Sequence, residues 1–168
     1  MRKRIDYKSG YYIGEVNFSG NPHGVGTMVW YNGDSYTGDW RNKEKHGVGI
    51  YNYQGGDRYE GQWYHDQKSG YGTYYYADGE YYKGQFANDE LNGEGEYHWA
   101  DGSYTVGTFK NDDPYRGTHY FSRNSKWAGD RVTGYYVGWH LHGQCLYTTA
   151  RGESYYCLYD KGKFIKRL

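Results

Sequence analysis

Residues 36–63, YTGDWRNKEKHGVGIYNYQGGDRYEGQW, decide how this chain folds. They open with Tyr36-x-Gly38-x-Trp40, pass His46-Gly47-x-Gly49-x-Tyr51, turn at Gly55-Gly56, and restart with Tyr59-x-Gly61-x-Trp63. The rest of the chain is this unit copied, eroded or cut short.

Outward from that stretch, the second Gly of Gly-x-Gly and the Gly of the next Tyr-x-Gly lie twelve residues apart: Gly26/Gly38, Gly49/Gly61, Gly72/Gly84, Gly95/Gly107 and Gly117/Gly129. Cys145/Cys157 repeats the spacing. The midpoints are Tyr31-Asn32-Gly33, Gln54-Gly55-Gly56, Ala77-Asp78-Gly79, Ala100-Asp101-Gly102, Ser122-Arg123-Asn124 and Ala150-Arg151-Gly152. Each ends in Gly, or in Asn at Asn124, as a three-residue hairpin loop with one left-handed residue requires. The expectation is all-β: an elongated single-layer antiparallel sheet of about six consecutive β-hairpins, a solenoid of repeats.

Hairpin symmetry sets cross-strand partners. Tyr51 faces Tyr59, Gly49 faces Gly61 and Gly47 faces Trp63, all on one side because strand side chains alternate. That side also holds Tyr74/Tyr82 with Gly70/Phe86, Tyr97 with Gly93/Phe109, and Tyr147/Tyr155 with Gly143/Tyr159. Glycines there leave slots for neighbouring rings, while Thr, Glu, Gln, Lys and Asn dominate the other side. Leu, Ile, Val and Phe make up only about an eighth of the chain, but 25 Tyr and 6 Trp stand in for them. Each buried ring removes roughly 150–250 Å² from water.

The array is expected over residues 12–162 as one domain. A basic lead-in, 1–11, precedes a first unit at Tyr12-Ile13-Gly14 that lacks its opening strand. The fifth unit is degenerate, residues 131–141 carry an insertion of about five residues, and 163–168 form a basic tail, the one segment where a helix is conceivable. Formal net charge is zero, yet the residues between the basic ends carry a net −7. No apolar run is long enough to span a membrane, and the start lacks a signal-peptide core. Two cysteines make no disulfide scaffold, so a reducing cytoplasmic setting is expected. Register opposes Cys145 to Cys157, close enough for a cross-strand disulfide; the favoured reading in a reducing setting is two thiols filling the slot that Gly/Gly leaves elsewhere.

Tyr-x-Gly-x-Trp followed by His-Gly-x-Gly at a 23-residue step resembles the MORN (membrane occupation and recognition nexus) repeat across residues 12–162. The resemblance implies a twisted antiparallel sheet with an aromatic groove. MORN arrays occur in junctional membrane proteins, phosphoinositide kinases, a lysine methyltransferase, protist cytoskeletal proteins and adaptors for myosin tails, where the chemistry belongs to appended domains. Ser69 and Asn92 depart from the repeat's His, residues 113–116 erode the fifth unit, and cysteines replace glycines in the sixth.

Catalysis finds no footing. His23, His46 and His142 recur at one repeat position, which marks them as structural. His65, His98, His119 and His140 lack metal spacing, and no nucleophile elbow, phosphate loop or dinucleotide fingerprint occurs. No cofactor or metal is expected. An acidic body disfavours nucleic acid despite the rings. The function read from the residues is a non-enzymatic scaffold or adaptor, since Tyr and Trp anchor interfaces. Its candidate groove comprises Tyr36, Trp40, Tyr51, Tyr59, Trp63, Tyr74, Tyr82, Phe86, Tyr97 and Phe109 with Glu94 and Glu96. The expected partner is a peptide or helical segment with apolar anchors and basic flanks. Self-association through open sheet ends, tethering to anionic phospholipid through MRKR and KGKFIKRL, and an aromatic small-ligand site with Trp139 and Tyr135-Tyr136 as lid are the alternatives.

Overall fold

The computed structural model describes residues 1–168 and contains fifteen strands and no helix. The strands are β1 (Arg2–Tyr7), β2 (Gly10–Val16), β3 (Pro22–Trp30), β4 (Ser35–Arg41), β5 (Glu44–Asn52), β6 (Arg58–Tyr64), β7 (Gln67–Tyr75) and β8 (Tyr81–Ala87). They continue as β9 (Glu90–His98), β10 (Tyr104–Lys110), β11 (Asp113–Tyr120), β12 (Arg131–Val137), β13 (His140–Thr148), β14 (Ser154–Asp160) and β15 (Lys163–Arg167). They follow one another in a single antiparallel sheet. The six hairpins account for β3–β14; β1, β2 and β15 are additional.

Two kinds of turn alternate. At the hairpin tips Gly33, Gly56, Gly79, Gly102 and Gly152 adopt φ between +84° and +100°, a region closed to most side chains. Between hairpins, Asn42-Lys43, His65-Asp66, Asn88-Asp89 and Asn111-Asp112 all have positive φ at both positions. That is the two-residue turn whose twist matches the flanking strands and which Asn and Asp tolerate.

Three expectations are corrected. The first unit does not lack its opening strand, because the basic lead-in supplies β1, paired with β2 through Ile5↔Tyr12. The basic tail is strand β15, paired with β14; five residues, all exposed, are too few to form a helix with nothing to pack against. The inserted residues lie in the loop of the fifth hairpin, not at 131–141: Gly117 faces Gly134 instead of Gly129. Gly129 takes the left-handed tip position at φ +85° and Asn124 does not. The loop closes with Phe121 N–H donating to Asp130 O, whereas an ordinary tip closes from Trp30 to Asp34.

The chain divides into two compact units, Met1–Ala77 with Phe86–Asp89, and Asp78–Gln85 with Glu90–Leu168. In the first, Tyr12, Tyr36 and Tyr59 are wholly buried. Each lies over two glycines of its own and the next strand: Gly14/Gly26, Gly38/Gly49 and Gly61/Gly72. Their hydroxyls donate to the carbonyls of Glu15, Asp39 and Gln62 at 2.6–2.9 Å, so burial leaves no orphaned group. Trp40, Trp63 and Phe86 wedge edge-on between them, giving a column Tyr12–Trp40–Tyr36–Trp63–Tyr59–Phe86 with centroids 5.0–5.4 Å apart. Such pairs add about 0.5–1.5 kcal/mol each beyond area burial. Trp40 and Trp63 also donate their indole N–H to Gly26 and Gly49 carbonyls.

In the second unit Tyr82 repeats this arrangement over Gly84 and Gly95, with Phe109 against it at 4.9 Å. The pattern then lapses: the positions equivalent to Tyr82 are Thr105 and Val132. A smaller core of Val132, Cys145, Tyr147 and Cys157 takes over. Cys145 and Cys157 are opposed as the spacing requires, both free and buried. Burial pushes the Cys145 thiol up to about 11, so it is a packing group at neutral pH.

Candidate partner-binding surface

Most of the sequence-selected rings cement the sheet. Tyr36, Trp40, Tyr59, Trp63, Tyr82, Phe86, Tyr97 and Phe109 are all buried, none more than 7 % exposed, and a partner cannot reach them without opening hairpins. Tyr51 and Tyr74 are half-buried. Glu94 and Glu96 do not join the rings: strand alternation puts them on the face opposite Gly93, Gly95 and Tyr97. Glu96 there meets His98 at 3.1 Å. His98 belongs to a row of parallel stacked rings, Tyr81, His98, Tyr104 and Tyr120.

What Tyr51 and Tyr74 do build is a ribbon. In the first unit Trp30, Tyr51, Tyr53, Tyr74 and Tyr76 run in continuous ring contact at 4.4–5.8 Å, all half-buried. Trp30, Tyr53 and Tyr76 were missed by sequence reasoning. The signal was present, since Tyr53 and Tyr76 stand two residues beyond Tyr51 and Tyr74 and share their face.

Carboxylates hold the ribbon from one edge. Asp34 accepts the Tyr51 hydroxyl at 2.9 Å and the Gln54 N–H at 2.8 Å. Asp57 does the same for Tyr74 and Ala77 at 2.7 and 2.9 Å. In the second unit Glu80 serves Tyr97 and Ala100, and Asp130 serves Tyr147 and Ala150. The Gln54 N–H bond foremost holds the Asp34 carboxyl below its ordinary range. Burial, followed by the bonds to Asp34 and Asp57, pushes the Tyr51 and Tyr74 phenols well above theirs.

Cations lie over its rings. Lys45 Nζ lies 4.8 Å from the Tyr51 ring centroid and 4.5 Å from that of Trp63; Lys68 Nζ lies 4.8 Å from Tyr74. These are cation–π distances. Desolvation lowers the Lys45 pKa, opposed by the Asp66 and Asp89 carboxylates. Charges of both signs therefore accompany the rings of the ribbon, a different surface from the aromatic, acidic groove expected.

Trp139 occupies a two-residue turn at φ +52° and touches Tyr97 and Trp99. Tyr135 points away, against Tyr115, so it forms no lid with Tyr136. His46 packs against Tyr64 and His65, and His142 Nδ1 accepts the Lys161 N–H at 3.3 Å. No three His, Cys, Asp or Glu side chains converge as metal ligands would.

The profile of the MORN repeat matches residues 12–35, 36–58, 59–81 and 82–104. This chain belongs to the MORN-repeat family. Each matched MORN repeat begins on a slot-filling tyrosine, Tyr12, Tyr36, Tyr59 or Tyr82, and the matches end one residue before Thr105 breaks the series. No curated protein sequence matches the chain. Among solved structures, the G-box domain of the microcephaly protein CPAP, reported to suggest a role in centriole elongation, is similar at 11% identity. That alignment covers 98% of this MORN-repeat chain and 97% of the other, with a TM-score of 0.50. At that identity the likeness is one of fold. No helix here is long and apolar enough to cross a membrane.

Proposed function

We propose that this MORN array is a non-enzymatic scaffold that captures an extended or helical protein segment along the ribbon Trp30–Tyr51–Tyr53–Tyr74–Tyr76. The observation that carries the reading is this ribbon: five contiguous half-buried rings flanked by carboxylates and ammonium groups. Large amphipathic rings supply interface area at low entropic cost, and an apolar stripe of this kind is a recognition feature on a protein surface. The matching partner presents apolar anchors, with charges of both signs beside them to meet Lys45/Lys68 and Asp34/Asp57. It works in the cytoplasm, peripheral to a membrane or the cytoskeleton. A photo-crosslinking residue at Tyr53 or Tyr76 tests this: it should trap one polypeptide from the native host that the same group at Glu94 does not. Equal trapping from both faces would overturn the assignment.

A second reading, contact with anionic phospholipid, is favoured by one observation. Strand β15 is exposed along its whole length and places Lys163, Lys166 and Arg167 beside exposed Phe164 and Ile165. Basic side chains near an anionic surface contribute about 1 kcal/mol each. Sedimentation with phosphatidylserine vesicles, lost on Lys163→Glu/Lys166→Glu, would support it; no sedimentation would exclude it.

A further inference from the structure

The second unit contains a cavity of about 610 Å³ that the ribbon does not use. It lies where the repeat departs from its own rule. Thr105 stands where Tyr36, Tyr59 and Tyr82 stand in intact repeats, and His119 stands where Tyr51, Tyr74 and Tyr97 stand. Removing ring volume from those positions hollows the face that is filled elsewhere. The remaining departures wall the hollow. Trp127 comes from the enlarged fifth-hairpin loop, and Trp139 occupies the turn position that is Asp66, Asp89 or Asp112 in preceding repeats. Trp99, His140 and Tyr147 are among the other residues that line it.

The chemistry of the walls is selective. No Asp, Glu, Lys or Arg lines the cavity. His119 is bonded through Nδ1 to Thr105 Oγ1 at 3.0 Å, and burial lowers its pKa, so the imidazole is neutral. A charged guest would lose its hydration and meet no carboxylate, ammonium or guanidinium group on the walls. One wall residue carries a buried polar atom without a hydrogen-bond partner, Trp99 Nε1, and the Tyr136 hydroxyl interacts with Thr105 at the cavity wall. A buried N–H left unpaired is uncommon in a folded protein, and the indole can donate. The volume falls within the roughly 300–1,000 Å³ typical of small-molecule sites.

We propose that this cavity binds an uncharged, planar aromatic molecule bearing a hydrogen-bond acceptor. The rings stack on its faces, and Trp99, Tyr136 or His119 meets the acceptor. The site is distinct from the ribbon, so either assignment can fail while the other stands.

The test is a titration of the full chain with 1-naphthol and with 1-naphthalenesulfonate, followed by the indole N–H resonances of the six tryptophans. With 1-naphthol, Trp99, Trp127 and Trp139 should shift saturably while Trp30, Trp40 and Trp63 stay fixed. The sulfonate should bind at least about tenfold more weakly. Thr105→Tyr, which restores the repeat's ring, should abolish the shifts with the remaining spectrum intact, and Thr105→Ser should keep them. Absence of saturable shifts up to the solubility of 1-naphthol would overturn the proposal. So would equal shifts at all six indoles, equal affinity for the sulfonate, or unchanged binding in a folded Thr105→Tyr protein.

Discussion

The ring of Tyr59 occupies the space that a Cβ on Gly72 would need, its hydroxyl and ring edge both lying inside the distance at which carbon contacts are tolerated. Tyr59 is wholly buried and its hydroxyl is tied to Gln62 O, so it has nowhere to move. Gly72→Ala should cost about 3 kcal/mol through overpacking. Gly55→Ala, at a hairpin tip with open space around it, should change stability by less than about 0.5 kcal/mol. Urea midpoints of the two variants check the contrast.

Asp112 offers a second contrast. Its carboxylate accepts the Leu91 N–H at 2.8 Å, as Asp66 accepts from Lys45 and Asp89 from Lys68. At the two repeats where the donor position is proline, Pro22 and Pro114, the acceptor position is Lys43 and Trp139: no N–H, no aspartate. Asp112→Ala should cost about 1–2 kcal/mol, from the lost charge-assisted bond and an alanine at φ +67°. Asp112→Asn keeps an acceptor and tolerates that φ, so thermal denaturation should show less than half the loss.

Acid should weaken the fold partly through Asp34. Its pKa is lowered in the folded chain, chiefly by the Gln54 N–H bond. The stabilisation is therefore complete above the unfolded value of about 3.9 and is lost as pH falls through the lower folded value. Asp34→Asn should flatten the fall in stability below about pH 4, measured by urea denaturation at pH 3 and pH 6.

Alkali should act through the tyrosines. Tyr12, Tyr36, Tyr51, Tyr53, Tyr59, Tyr74, Tyr136, Tyr147 and Tyr159 have pKa values raised first of all by burial. Their contribution is intact below the unfolded value of about 10 and is lost as pH rises through the higher folded values. In a phenolate absorbance titration these nine tyrosines should ionise only together with loss of the β-sheet circular dichroism signal. Complete phenolate formation with the sheet signal retained would contradict the packing described.

The hairpins were legible because a left-handed tip glycine cannot be replaced cheaply, so it recurs at fixed spacing. The same logic misled at Gly129, which lies twelve residues after Gly117 yet is itself the tip glycine of an enlarged loop. Strands β1 and β15 carry no repeat motif, and only pairing with β2 and β14 makes them strands. Glu94 and Glu96 were joined to Tyr97 by closeness in sequence, although even and odd positions of one strand face opposite ways. Burial was the least legible property. Tyr36 and Tyr51 have the same chemistry and share a face, and only packing places the first inside a glycine slot and leaves the second half exposed.

The central claim is that the ribbon binds a protein segment, and the most direct measurement is the affinity of the polypeptide cross-linked at Tyr53. Its dissociation constant is compared across the wild-type chain, Tyr53→Ala/Tyr76→Ala and Glu94→Lys/Glu96→Lys. Loss of two interface rings should weaken binding by about 2–4 kcal/mol, some thirtyfold or more, while the charge reversals on the opposite face should change it less than about twofold. Strong loss in the Glu94/Glu96 variant with no effect of the ring deletions would contradict the account.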